Sequence, residues 1–431
     1  MEDKLKYKTF FITTLGCSKN TVDSEILRGK LQQAGMEWTQ PDDCEVLIIN
    51  TCGFILDAKE ESIDAIMDAV NLKNEGKINK LIVMGCLVER YHDELQDQIT
   101  EVDSFHGVEP FEQIMAELAY DNEGARELLT PSHYAYLKIA EGCDNTCSFC
   151  SIPGIRGKQH SKSIPDLLDE ARYLSSLDVK ELIIIAQDTT RYGADIYGER
   201  KLAELLEQLL NLKLFPRVRL MYTNPDFWDP KINELFSKYD EFCPYVDLPV
   251  QHASDRILDL MNRRFGQEKI RTIVEKLRSD VPNIALRTTV MVGFPGETEN
   301  EFYQLLDFIE EMEFERLGAF TYSEEEDTEA ARFDDSISKQ EKDRRLEMIM
   351  SSQYEITSQF ARNQVGKVLD VIIDRRESDM VIGRTIWDAP EVDCNVLIDD
   401  KDVEPGNIYP VKITDSRDFD LIGKIYKEEQ S

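Results

Sequence analysis

The chain has 431 residues, enough for about three domains, and 42% of them are hydrophobic, enough for several cores. With 84 acidic against 50 basic residues the net charge is −34; such a surface repels phosphate backbones and attracts basic partners, or else serves solubility alone. Neither a run of about 18 apolar residues nor a signal peptide is visible, and nine cysteines are an odd number. The reading is a soluble cytoplasmic protein, without membrane association, whose cysteines serve metal or redox chemistry rather than disulfides.

The first region, roughly residues 7–125, alternates apolar strand candidates with periodic helical segments. Strands are expected at 10–14, 46–50 and 81–84, and helices at 23–34 and 58–72. This alternation predicts an α/β unit with a mainly parallel sheet. The second region, roughly 130–335, holds six strand candidates at 136–140, 182–186, 218–222, 245–248, 286–292 and 317–321, with helices such as 163–177 and 202–212 between them. Six βα units suit an open partial barrel, short of the eight of a closed one. A polar helix at 339–364 follows, on which Leu346, Ile349, Met350, Ile356 and Phe360 form one apolar stripe. The last region, from about 367, reads as five short strands at 368–373, 380–385, 395–398, 408–414 and 421–425, a small OB-like barrel. It carries nine basic against sixteen acidic residues, a net of −7.

The strongest chemical signal is Cys143-Asp144-Asn145-Thr146-Cys147-Ser148-Phe149-Cys150, immediately after the first strand of the partial barrel. Thiolates hold iron–sulfur clusters or zinc. Structural zinc normally takes four protein ligands, and the nearest further candidate, His160, has an unusual spacing. Three cysteines on a cubic cluster leave one iron open to a ligand. The position fits as well, because barrel active sites form at the C-terminal ends of strands.

A second set is scattered: Cys17, Cys52 and Cys86 each lie just past the end of an expected strand. In an open α/β sheet those strand ends gather on one edge, where ligands bind. Gly16, Gly53 and Gly85 flank them and allow the backbone to approach a bulky cofactor. Three small apolar residues that happen to end strands are the plainer reading. Cys44, Cys243 and Cys394 read as structural.

C-x3-C-x2-C with an aromatic before the last cysteine resembles the signature of radical S-adenosylmethionine (SAM) enzymes. The resemblance implies a 4Fe–4S cluster on Cys143, Cys147 and Cys150 whose open iron is chelated by SAM, with cleavage of SAM to a 5′-deoxyadenosyl radical. Together with the scattered cysteines, nearly the whole chain resembles the methylthiotransferases. Their plan implies an N-terminal cluster domain at 1–125, a radical SAM domain with trailing helix at 126–364, and a C-terminal TRAM domain at 365–431, a five-stranded antiparallel barrel. It also implies that Cys17, Cys52 and Cys86 hold a second, auxiliary 4Fe–4S cluster.

Several stretches resemble the branch of that family that modifies a ribosomal protein. They are Thr14-Leu15-Gly16-Cys17-Ser18-Lys19-Asn20, Asn50-Thr51-Cys52-Gly53-Phe54-Ile55, Ile152-Pro153-Gly154-Ile155-Arg156-Gly157 and Leu248-Pro249-Val250-Gln251-His252. The stretch Tyr322-Ser323-Glu324-Glu325-Glu326-Asp327-Thr328 departs slightly, since that branch often has Gly near Asp327. This branch implies that the substrate is an aspartate of the basic small-subunit ribosomal protein at the decoding centre, and the product its β-methylthio derivative. An acidic C-terminal barrel agrees with a basic protein partner and disfavours tRNA. An electron donor and a sulfur source are further partners that the sequence does not name.

For SAM itself, Phe149 is expected beside the adenine, Gln187 and Asp188 near the amino group, Arg287 on the carboxylate and Gly293 at the adenosine pocket. A core aromatic, an ordinary ion pair and a plain βα turn are the competing readings of Phe149, Arg287 and Gly293. Two other functions stand beside the main one: a tRNA adenosine methylthiotransferase, and a non-catalytic iron–sulfur or zinc scaffold that binds ribosomes.

Overall fold

The computed structural model describes residues 7–120, 124–378, 380–400 and 403–427. Three sheets organise them. The first holds five parallel strands, β1 (Thr9–Thr14), β2 (Glu37–Trp38), β3 (Val46–Thr51), β4 (Lys80–Gly85) and β5 (Ser104–His106), in the order β2-β1-β3-β4-β5. Helix α1 (Ser18–Gln33) covers one face, where Phe10, Ile12, Val46, Ile48 and Ile82 meet Leu27 and Leu31. Helices α2 (Leu56–Asn74) and α3 (Cys86–Gln98) cover the other, over Leu47, Ile49, Leu81 and Val83. Strand β3 is buried along its whole length, as a parallel strand between two helical layers must be. Thr14, Asn50 and Met84 align across β1, β3 and β4, so the three strands end together on one edge.

The second sheet bears out the six-strand reading. After β6 (Tyr134–Lys138) comes a two-stranded ribbon, β7 (Ala140–Glu141) with β8 (His160–Ser161). Then β9 (Glu181–Ile185), β10 (Arg217–Leu220), β11 (Phe242–Asp247), β12 (Ala285–Val292) and β13 (Arg316–Thr321) join β6 in chain order, all parallel, with the two edge strands unpaired to each other. The alternation along each strand is clean. Leu137, Leu182, Ile184, Val218 and Leu220 pack on one helical layer, and Val246, Leu286 and Val290 on another. Their neighbours Tyr136, Ile183, Ile185, Met221 and Tyr245 face the opposite way, where Val22 of α1 and Trp387 meet them.

The third sheet is a closed barrel of β14 (Val368–Glu377), β15 (Met380–Arg384), β16 (Val396–Ile398), β18 (Asp420–Ile425) and β17 (Ile408–Arg417). It departs from the antiparallel expectation at one pairing: β16 and β18 run parallel. A ring with an odd number of strands cannot alternate direction all the way round, so one parallel pair is obligatory. The barrel abuts the N-terminal ends of the second sheet's strands. Glu181, at the start of β9, is fully buried between Arg219 (2.6 Å) and Arg384 (2.9 Å). Arg316, at the start of β13, pairs with Asp388 at 2.6 Å, and Trp387 Nε1 donates to Asn283 O at 2.8 Å.

The long helix Lys339–Arg362 corrects the expected stripe at one position. Ile349 is fully buried, and Leu346 and Ile356 pack beside it, but Met350 is 42% exposed. The buried face steps by four, through Arg345, Ile349, Gln353, Thr357 and Ala361, and Met350 lies about 100° off it. The short edge strands β2 and β5 have no counterpart among the expected ones.

Candidate active site

All six cysteines singled out from the sequence line one cavity of about 350 Å³, between the C-terminal edge of the first sheet and that of the second. Cys17 precedes α1, Cys52 follows β3 and Cys86 opens α3, so the aligned strand ends deliver the three thiols to one place. Cys143, Cys147 and Cys150 occupy the loop between β7 and the short helix Ile152–Arg156. Cys44, Cys243 and Cys394 are buried elsewhere, and Cys44 Sγ donates to Pro41 O at 3.3 Å.

The electrostatics separate the six into two trios. Burial pushes the Cys86 thiol up to about 11, and the nearby Cys17 and Cys52 push the same way. Cys52 is raised by burial and by Cys17. Burial likewise raises Cys143 to about 11 and Cys150 to about 12, with Cys147 adding to both. Each trio therefore feels its own members. Loading a metal must remove these thiol protons, so the sites favour strongly thiophilic cargo.

Neither trio is tight enough for one ion. Among the described residues, the one group of three potential ligands whose atoms all lie within 4.8 Å is Asp23, Glu109 and Glu141. That group is filled by Lys138 Nζ, which lies 2.8 Å from Glu109 and 2.7 Å from Glu141 and also bonds Asp23. Three thiols spread more widely, in no tight group with a fourth ligand among the described residues, suit a multinuclear cluster with an open position.

The glycines beside the cysteines have more specific roles than expected. A Cβ on Gly16 would fall 2.7 Å from Cys52 Cβ, which is a close approach to one of the cavity's cysteines. On Gly53 it would meet the Leu87 backbone at 2.7 Å, and on Gly85 the Thr51 carbonyl at 2.6 Å. These two serve the crossing of strand-end loops rather than contact with a cofactor.

Of the expected SAM contacts, Phe149, Gln187 and Asp188 line the cavity. Asp188 Oδ2 accepts from Asn145 at 2.6 Å and from Asn224 at 3.2 Å, and Gln187 bonds Glu141. Arg287 is not among the lining residues: it pairs with Asp247 at 3.0 Å and with Asp393 of the C-terminal barrel at 3.4 Å. Gly293 is also absent from the lining; a Cβ there would meet Lys342 at 2.4 Å. Residues that sequence reasoning missed include Lys19, whose Nζ sits 2.9 Å from the Tyr222 ring centroid, and Arg263, whose buried Nε has no hydrogen-bond partner among the described residues. Gln251, in a motif already noted, lines the cavity with a left-handed φ of +69°.

An open six-stranded parallel sheet with a three-cysteine loop at the C-terminal ends of its strands defines the class, a radical SAM enzyme. The profile of the Radical SAM superfamily matches residues 137–309. A profile described as uncharacterized protein family UPF0004 matches 9–107, and the TRAM domain profile matches 365–425. Over 97% of its length the chain is 46% identical to the ribosomal protein uS12 methylthiotransferase RimO of Chloroherpeton thalassium, covering 99% of that protein. It is 42% identical over 97% of its length to the RimO of Clostridioides difficile, covering 98% of that protein. The radical SAM methyltransferase TsrM from Kitasatospora setae, solved with tryptophan and a SAM analogue, shares the fold at a TM-score of 0.56. Its identity is 13%, over 86% of this chain and 79% of that one.

The chain belongs to the RimO family of radical SAM methylthiotransferases. SAM and two 4Fe–4S clusters are its cofactors.

Proposed function

We propose that this enzyme adds a methylthio group to the β-carbon of an aspartate in the small-subunit ribosomal protein uS12. The observation that carries the reading is the single cavity lined by two separate cysteine trios. Cys143, Cys147 and Cys150 hold the cluster that binds SAM, and Cys17, Cys52 and Cys86 hold the auxiliary cluster. When bound, these groups supply the radical that removes an unactivated C–H hydrogen and the sulfur that replaces it, chemistry outside the reach of side-chain acids and bases.

The protein's own residues bind, orient and exclude water. Phe149 gives the adenine an apolar wall, and Gln187 and Asp188 face the SAM amino group from the end of β9. Arg263, which lines the cavity beside Phe149 and whose Nε has no hydrogen-bond partner among the described residues, is the cation for the SAM carboxylate in place of Arg287, which lies outside the lining.

A net charge of −34 suits a basic protein substrate better than tRNA. The grouping of strands into three main sheets supports a division at 1–125, 126–364 and 365–431. Among the described residues no helix is long and apolar enough to cross a membrane; the ribosomal-protein substrate of this reading places the enzyme in the cytoplasm. Alanine at Cys143, Cys147 or Cys150 tests the roles: each should abolish SAM cleavage. Alanine at Cys17 should spare cleavage and stop methylthio transfer, and normal transfer by that variant would refute the auxiliary site.

A further inference from the structure

Arg156 is where the two cysteine trios meet. It ends the helix that starts two residues after Cys150, and it is 6% exposed. Its guanidinium reaches away from that loop to the edge of the first sheet. Nε donates to Cys86 Sγ at 3.2 Å. Nη1 donates to Asp23 Oδ2 at 3.3 Å and lies 2.8 Å from Glu141 Oε2. Nη2 donates to Asn20 Oδ1. Asn20 passes the contact on: its Nδ2 donates to Leu15 O at 2.8 Å and to Thr51 O at 3.0 Å, the backbone that presents Cys17 and Cys52. One side chain from the second sheet's cysteine loop thus touches one thiol of the other trio directly and the mounts of its two partners through Asn20.

Guanidinium is the suited group here. It has no acceptor atom and keeps its proton, so its N–H points at sulfur in every redox state. Hydrogen bonds to cluster sulfurs and nearby positive charge favour the reduced, more negative state and raise the potential. Asp23 and Glu141 balance the guanidinium's charge at Nη1, which leaves the directed Nε–H···Sγ contact as the feature a substitution would change.

We propose that Arg156 is a positioning residue for the auxiliary cluster: its Nε–H bond to Cys86 raises that cluster's reduction potential, and its fork fixes the separation of the two trios. This rests on the assignment of Cys17, Cys52 and Cys86 as ligands.

The test uses the full chain with Cys143, Cys147 and Cys150 all replaced by Ala, so that only the auxiliary site loads. The reconstituted protein is assayed for iron and titrated anaerobically by electron paramagnetic resonance, with Arg156 intact, Arg156→Lys and Arg156→Met. At the potential where the parent is half reduced, Arg156→Met should lower the reduced-to-oxidised ratio at least tenfold, about 59 mV for one electron. Arg156→Lys, which keeps the charge that Asp23 and Glu141 balance but loses the Nε–H to Cys86, should lower it nearly as far as Arg156→Met. Variants that load iron and stay within twofold of the parent would overturn the proposal. Variants that keep the parent's far-ultraviolet spectrum but fail to load iron bear out the positioning role. A parent that loads no iron would instead refute the ligand assignment and leave Arg156 without its target.

Discussion

Gly16 and Cys52 touch across the first sheet's edge so closely that no side chain fits between them: a Cβ on Gly16 would lie 2.9 Å from Cys52 Sγ. Gly16 also has a φ of +86°, in the left-handed region that L side chains adopt at a cost. Gly16→Ala should therefore displace Cys52 and empty the auxiliary site while leaving the other trio intact. Iron content after reconstitution should fall from about eight to about four atoms per chain. SAM cleavage should persist while methylthio transfer is lost.

Arg263 and Arg287 make opposite predictions. Both have a buried Nε without a hydrogen-bond partner among the described residues, but Arg263 lines the cavity beside Phe149, whereas Arg287 lies outside that lining and pairs with Asp247 and Asp393. A hydrogen bond to a charged group contributes about 1.5–3 kcal/mol, so Arg263→Met should weaken SAM binding about 10- to 100-fold. Arg287→Met should leave SAM affinity near the parent value and lower the thermal midpoint, because it strips a buried ion pair of its cation. Equilibrium SAM binding and thermal unfolding separate the two.

Acid should loosen the C-terminal barrel from the second sheet. Burial by itself would raise the Glu181 carboxyl, but Arg219, Arg384 and Arg217 outweigh it and pull the group from 4.5 down to about 2. A depressed carboxylate contributes its stability above the unfolded value and loses it as pH falls through the folded one. The loss should therefore run from about pH 4.5 to about pH 2. Glu181→Gln should cost about 3–5 kcal/mol at neutral pH by leaving buried guanidinium groups unpaired. Its deficit against the parent should shrink across that same acid window in thermal unfolding scans.

Asp327 sits at φ +63°, two residues after Glu325, which is 3% exposed and holds Lys59 at 2.7 Å and Arg90 at 2.9 Å. Glycine adopts such a left-handed backbone without strain. Asp327→Gly should change stability by less than about 1 kcal/mol. Asp327→Val should cost about 1–2 kcal/mol, since a β-branched residue is strained there. Denaturant midpoints decide between them.

The compact cysteine motif was legible because its three cysteines lie within one loop. The scattered trio was legible because each cysteine follows an apolar strand, and parallel strands end on one edge. Strands β2 and β5 were not, since two or three residues carry no alternation. That Arg287 pairs with Asp393 was not legible, because Asp393 comes from a barrel whose docking no local pattern encodes. Arg156 lay within a motif already noted, yet no spacing reveals that its guanidinium turns toward Cys86. Likewise the periodicity that found the long helix missed that Arg345, Gln353 and Thr357 occupy its buried face. Hydrogen bonds such as Gln353 Nε2 to Phe314 O, at 2.8 Å, make that burial possible.

The central claim is tested most directly by anaerobic turnover of the reconstituted enzyme with SAM, a reductant and sulfide. Ribosomal protein uS12 and bulk tRNA are offered together, and both are read by mass spectrometry. The account predicts a methylthio group on one aspartate of the protein and none on tRNA. A methylthio group on tRNA would contradict it, as would an unmodified protein alongside active SAM cleavage by enzyme that carries both clusters.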